Sequence, residues 1–323
     1  METLEFKYLP LEMKEHIIYS VGTQYHYILM FVSYEFYHIV LGIRQRLNIK
    51  SKLKIPSYII AMSIPLIEWV CEKKLARLSP KVCYQAALNG NLDVLKYARS
   101  KGCPWNDFTP SYAVKRRNYH ILKWAVDNGC PTHEWACMWA AYNGDLHILK
   151  WLREKGCPWD KETCSFAALK GHIHIIKWAR ANGCEWDANT CGSAASYGDL
   201  GSIKWLRANG CPWDVLTCAW ASQNENIQIL EWLYNNGCPW NSQTFYYAAM
   251  KDNIDTLKWL YANGCPWDCD TVLAAAENGL LENVKWFLEK GCPWNEDACD
   301  SAAENGHLDV LQYLRANDKS IKV

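Results

Sequence analysis

The chain has 323 residues, 50% of them hydrophobic and 21% charged, and its 34 basic and 34 acidic side chains cancel to a formal net charge of zero. That neutrality argues against general binding to nucleic acid or to an anionic membrane, and no apolar run is long enough to read as a membrane span. The charge is uneven, however: residues 1–130 carry 18 basic and 10 acidic side chains, a net of +8, and the remainder 16 and 24, a net of −8.

Residues 1–47 read as three short helices. Pro10 suits a first helical turn, and Leu11, Met13, Ile17, Ile18 and Val21 follow at near-helical spacing. Gly22-Thr23 interrupts, Tyr27 to Val32 forms a second run, and Ser33 caps a third with Phe36, Ile39, Val40 and Ile43. So small a domain is marginal alone and leans on the rest of the chain or on a partner. The order Leu9-Pro10, Glu12, Ile17-Ile18, Leu29, Val32-Ser33 and Phe36 resembles the F-box. That family docks onto the Skp-type adaptor of cullin ubiquitin ligases. The resemblance implies adaptor contacts at Leu9, Pro10, Leu11, Ile17, Ile18, Leu29 and Val32. Glu35-Phe36 departs from it, since the family often has Lys or Arg followed by Trp there. The other reading is a helical cap that shields the first repeat.

Residues 48–75 look like a degenerate unit, with an inner helix around Ile59-Ile60-Ala61 and an outer one over Ile64 to Val70. From residue 76 to 317 the chain is periodic. Cys103, Cys130, Cys157, Cys184, Cys211, Cys238, Cys265 and Cys292 are each 27 residues apart and each follows a Gly. All but Cys184 precede Pro, and all but Cys130 have Trp two residues on. A fixed period of this length predicts nine units of a helical solenoid, each unit packing on its neighbours. In Cys157 to Gly183, Thr163 is the expected cap of a first helix over Cys164 to Lys170, ended by Gly171. A second helix is expected over Ile173 to Ala181, closed by Gly183 with Asn182 beside it. Mid-helix alanine pairs such as Ala167-Ala168 predict close helix approach, and Trp124, Trp151, Trp178, Trp205, Trp232, Trp259 and Trp286 are expected to add buried bulk. Tyr97 and Tyr313 replace that Trp at the ends of the array. The tail, residues 318–323, is expected to fray.

The pattern Thr-Cys-x-x-Ala-Ala-x-x-Gly-His at Thr163 to His172, followed by Ile-Lys-Trp and a closing Gly, resembles the ankyrin repeat. The resemblance implies an all-α, ankyrin-like solenoid of stacked helix pairs. Its β-fingers are expected to be truncated, because each unit is six residues shorter than the usual ankyrin unit. Short Cys-Pro-Trp units behind an F-box-like start resemble the ankyrin proteins of giant viruses that infect amoebae, which implies a host-cell cytoplasmic location.

Sixteen cysteines invite disulfide or metal readings. The start, Met1-Glu2-Thr3-Leu4-Glu5, lacks a signal-peptide core, so the thiols are expected to be reduced and the chain cytoplasmic. A second cysteine series, Cys83, Cys137, Cys164, Cys191, Cys218 and Cys299, gives way to Pro110, Phe245 and Val272 at the same phase. Buried small hydrophobes fit that better than metal ligands; only Cys265 and Cys269 have a local ligand spacing. His147, His172 and His307 flank the first-helix stops and are expected to orient the turn. No nucleophile–base pair and no phosphate loop is evident, so neither an enzyme nor a cofactor is expected.

Recognition is expected at positions that vary while their neighbours repeat. These are Tyr112, Lys115, Arg116, Trp139, Tyr142, Lys170, Tyr197, Tyr246, Lys251, Glu277 and Glu304, all in the later part of a first helix or just past it. Phe166 and Trp220 either join that surface or fill the core. The run Lys115-Arg116-Arg117 is either a solvated face or a contact for an acidic partner. The acid-rich stretch from Asp268 to Asp309 either keeps the array soluble or binds a basic ligand. The reading is a non-enzymatic interaction scaffold. Its partners would be the Skp-type adaptor and an unknown host protein, with no nucleic acid and no membrane. The alternative is a stand-alone interaction or decoy module.

Overall fold

The computed structural model describes residues 57–72, 77–224 and 226–318, and all the regular secondary structure among them is helical. The expected adaptor contacts Leu9, Pro10, Leu11, Ile17, Ile18, Leu29 and Val32 lie outside the described residues, as does most of the tail. The chain divides into two compact units, Met1–Ala136 and Cys137–Val323.

The first unit holds α1 (Ser57–Ile60), α2 (Ile64–Glu72), α3 (Pro80–Leu88), α4 (Leu92–Ser100), α5 (Phe108–Lys115) and α6 (Tyr119–Asp127). The division falls inside α7 (Glu134–Asn143). The second unit continues with α8 (Leu146–Glu154), α9 (Lys161–Ala168), α10 (Ile173–Ala181), α11 (Ala188–Tyr197), α12 (Leu200–Ala208) and α13 (Val215–Ala221). It ends with α14 (Ile227–Asn235), α15 (Ser242–Ala249), α16 (Ile254–Ala262), α17 (Cys269–Glu277), α18 (Leu281–Glu289), α19 (Asp297–Glu304) and α20 (Leu308–Asn317). From α3 on, odd-numbered helices open a repeat and even-numbered ones close it.

The opening helices begin earlier than their threonines suggest. In α9 the cap is Asp160, not Thr163: its backbone is extended, and its carboxylate accepts from the Glu162 N–H at 3.1 Å. Asp187, Asp214 and Asn241 cap α11, α13 and α15 in the same way. The threonine is the third helical residue and is buried. At Asp214 and Asp268 its hydroxyl accepts from the cap residue's own N–H at 3.3 Å, closing a reciprocal box. A carboxylate directly after Trp thus takes the capping role from the hydroxyl. The helix also ends earlier, at Ala168 rather than Lys170.

The closing helix α10 spans Ile173–Ala181, as its periodicity predicts. Its end explains the Gly-Cys pair. Asn182 donates its side-chain amide to the Trp178 carbonyl at 2.8 Å. Gly183 then takes φ +83°, a region costly for residues with a Cβ. The Cys184 N–H reaches back to the Ala179 carbonyl at 3.0 Å, the six-to-one bond of a Schellman motif. Proline follows in most repeats because the helix cannot continue. Among the described residues the one with a side chain at positive φ is Arg117, at φ +60°, where most other repeats place Gly.

Packing follows side-chain size. Opening helices lie against the next opening helix, α9 on α11, α11 on α13 and α13 on α15, because their alanines leave room for backbones to approach. Ala167, Ala195, Ala221 and Ala275 are completely buried. The tightest of these contacts, α11 with α13, places Gly192 beneath the Trp220 ring. Closing helices bury Ile and Leu instead, such as Ile175, Ile176 and Leu206.

The repeated tryptophans are not the buried bulk that their number suggests. Apart from Trp286 they are half-buried. The Trp two residues after a repeat cysteine meets the closing-helix Trp of its repeat edge to face, as in Trp159–Trp178 at 5.6 Å and Trp186–Trp205 at 6.1 Å. A cation covers the other side: Arg153, Arg180 and Arg207 sit 4.3, 4.2 and 3.8 Å from the rings of Trp159, Trp186 and Trp213. Each of these arginines also donates to a cysteine carbonyl, that of Cys157, Cys184 or Cys211. Tyr234 and Tyr261 take the arginine's place against Trp240 and Trp267. Where the tryptophan is Thr132, the clamp position is Val126. An indole needs this cover because its face is exposed and its edge already used.

Candidate binding surface

The variable positions group by repeat. In the first unit, Tyr112 stacks on Tyr84 with centroids 5.2 Å apart, and the Lys115 ammonium lies 5.6 Å from the Tyr112 ring. Phe108 joins both tyrosines and stands 5.3 Å from Trp135, which is 42% exposed. Asp107, Phe108, Ser111, His133 and Trp135 line a cleft of about 50 Å³. That volume suits one side chain and falls well short of a small-molecule site, on the order of 300 Å³ or more. Arg116 is exposed beside them.

In the second unit, α7 and α9 bring Trp139, Tyr142 and Lys170 together. Trp139 meets Tyr142 at 5.3 Å and Phe166 at 6.1 Å, and the Lys170 ammonium lies 4.9 Å from the Tyr142 ring. The three rings are half-buried and Lys170 is exposed. Leu169, directly before Lys170, is 37% exposed, and Tyr197 in the next repeat 52%. Large apolar groups left open beside a cation are the composition of a protein-binding hot spot. Phe166 therefore belongs to the surface cluster, whereas Trp220 covers Gly192.

The remaining expected positions do not converge. Tyr246 is half-buried against Tyr247 at 5.4 Å; burial, and then the Glu277 carboxylate, raises its phenol above its ordinary value. Lys251, Glu277 and Glu304 are exposed, and the backbone carbonyls of Lys251 and Glu277 hydrogen-bond to Asn283 and to His307. His307 thus ties its turn to the end of the preceding repeat's opening helix, α17. Tyr97 is tied to α2 by donating to Glu68 Oε1 at 2.8 Å.

Phe108, Tyr84 and Trp135 were not singled out by sequence. A signal existed: Phe108 and Trp135 occupy the same phase of successive repeats, where later repeats place Glu162, Asn189 and Leu216.

The cysteines form pairs rather than two independent series. Cys83 Sγ lies 3.5 Å from Cys103 Sγ. Cys137, Cys164, Cys191 and Cys218 likewise stand close enough to Cys157, Cys184, Cys211 and Cys238 for each pair to perturb one another electrostatically. The bond to Cys103, reinforced by burial, holds the Cys83 thiol well above its ordinary value. Burial is the main cause that pushes Cys130, Cys265 and Cys292 up to about 12. Among the described residues no three His, Cys, Asp or Glu side chains are grouped to hold a metal ion. No described helix is long and apolar enough to cross a membrane.

Residues 245–323 match the family model for ankyrin repeats (three copies). No curated protein matches the sequence. Among solved structures, the chain is similar to the human ASB11 ankyrin repeat domain, at 20% identity and a TM-score of 0.42, over 56% of this chain and 96% of that one. Residues 245–323 thus match ankyrin repeats, and the described residues as a whole form an all-α, ankyrin-like solenoid of stacked helix pairs without strands.

Proposed function

We propose that this ankyrin-type protein–protein interaction module recruits a target protein to a cullin-type ubiquitin ligase. In this reading the N-terminal 47 residues engage a Skp-type adaptor through Leu9, Pro10, Leu11, Ile17, Ile18, Leu29 and Val32. The opening-helix surface holds the target. The chain performs no chemistry of its own and serves to fix where the target is presented.

The observation that carries target binding is the cluster of Trp139, Tyr142 and Phe166 with Lys170 over the Tyr142 ring. Half-open rings and an exposed ammonium suit a partner segment that offers an apolar anchor next to a carboxylate. The adaptor half rests on the F-box-like order of residues 9–36 alone.

The test is binding of the full chain to a purified Skp-type adaptor, beside a variant with Leu9, Pro10 and Ile17 made polar. Affinity lost in the variant, with helical signal and melting retained, supports the ligase role. Absence of binding by the unaltered chain at tens of micromolar adaptor would remove it, leaving an interaction module alone. Target binding is read separately by Trp139→Ala and Lys170→Glu against captured partners, with the closing-helix change Lys258→Glu as control.

A further inference from the structure

Five pairs of buried thiols recur at one place in the repeat, one member in the opening helix and the other directly after the closing-helix glycine. In the Cys83–Cys103 pair the sulfurs are in van der Waals contact at 3.5 Å, twenty residues apart in sequence. The Cys191 and Cys218 thiols also point at the start of their partners' connector, 3.9 and 4.0 Å from the Cys211 and Cys238 carbonyls. All ten cysteines are buried and unbridged. A disulfide needs the sulfurs to close to about 2.05 Å, a movement of roughly 1.5 Å that side-chain rotation can supply. With no third ligand beside them among the described residues, two thiols make a poor cage for zinc but all the atoms a disulfide requires.

We propose that Cys83–Cys103, Cys137–Cys157, Cys164–Cys184, Cys191–Cys211 and Cys218–Cys238 are dithiol modification sites. Each closes to a disulfide inside its own repeat by exchange with a small-molecule disulfide such as oxidised glutathione. The thiolate of one cysteine attacks a glutathione sulfur, breaking that S–S bond and releasing one glutathione thiolate. Its partner's thiolate then attacks the protein sulfur of the mixed disulfide and releases the second. The pair loses two electrons and two protons; the oxidised glutathione gains the two electrons and its products take up the protons. Burial shields these thiols from solvent, so exchange proceeds when a repeat opens locally. Helices of about two turns, stabilised mainly by their neighbours, permit such opening.

The array contains its own controls. Cys130, Cys265 and Cys292 occupy the connector position, but the opening-helix residue of their repeat is Pro110, Phe245 or Val272. They have the same burial and no partner in phase.

The experiment incubates the reduced full chain in glutathione buffers of rising oxidised fraction, just below its melting onset. Remaining thiols are alkylated, and cross-linked peptides are mapped by mass spectrometry. A parallel alkylation without oxidant measures how far each thiol becomes accessible. The five named cross-links are expected, each reversed by dithiothreitol, with the oxidised chain melting higher. Cys130, Cys265 and Cys292 should carry only the alkyl group or glutathione. In Cys157→Ala the Cys137 cross-link should vanish and the other four persist. Cross-links scattered over other pairings, or thiols that alkylate readily yet never cross-link, would overturn the proposal.

Discussion

Gly192 is where a single methyl group tests the packing most sharply. A Cβ there would lie 2.5 Å from Cε3 and 2.8 Å from Cζ3 of Trp220, about 1 Å inside ordinary carbon–carbon contact. Gly192 is buried in the middle of α11, so helix propensity alone favours Gly192→Ala by roughly 1 kcal/mol. Overpacking costs about 1–3 kcal/mol, and the half-buried indole can relieve only part of it by shifting outward. The expected net effect is a loss of about 1 kcal/mol. With Trp220→Ala already in place the clash is gone and propensity acts alone, so Gly192→Ala should then stabilise by about 1 kcal/mol. The sign reverses, and the coupling is about 2 kcal/mol. Urea denaturation followed by helical circular dichroism would measure all four chains, with equal slopes required to show that the array unfolds as the same unit. If Gly192→Ala stabilises both backgrounds equally, Trp220 does not lie on Gly192 and the account of close approach between α11 and α13 fails.

Other substitutions probe other parts of the repeat. Arg117→Gly relieves a side-chain residue at φ +60° and should stabilise by about 0.5–1 kcal/mol after the entropy of glycine is counted; a loss of stability on thermal melting would argue that the arginine contributes more than its backbone costs. Asp214→Ala removes the carboxylate half of a capping box while leaving its backbone N–H to the Thr217 hydroxyl, and should cost about 1 kcal/mol, whereas Thr217→Ser, which keeps the hydroxyl, should cost less in the same denaturation assay. Arg180→Lys gives up the planar stack on Trp186 and a fixed donor to the Cys184 carbonyl, an expected loss of about 1 kcal/mol; an unchanged midpoint would mean the clamp is ornamental. Glu162 is a pH test: burial, and then the neighbouring Asp160, raises its carboxyl above the ordinary value. The folded chain therefore holds that proton longer, so its stabilising contribution is present in acid and lost as pH rises through the raised value. Glu162→Gln should thus raise stability slightly at neutral pH and leave it unchanged in acid, and equal effects at both would contradict the burial argument.

What the amino-acid sequence determined by itself is whatever depends on neighbours along the chain. The period of the Gly-Cys pairs announces stacked repeats, and the bounds of α10 follow from apolar spacing and a terminal Asn-Gly. The start of α9 was misread although it too is local, because Asp160 and Thr163 are both acceptable caps and only the extended backbone at Asp160 shows which one accepts. The tryptophans were misjudged for a different reason. Their number suggested burial, but they stand half-open, edge to face, beneath Arg153, Arg180 and Arg207. Only the tertiary structure decided which cysteines touch, which rings join Lys170, and that Gly192 makes room for Trp220. Those contacts join residues about twenty or more positions apart. A repeating pattern says that each unit has a neighbour without saying which side chains fill the seam, since side-chain volume and direction across it are settled only when the helices pack.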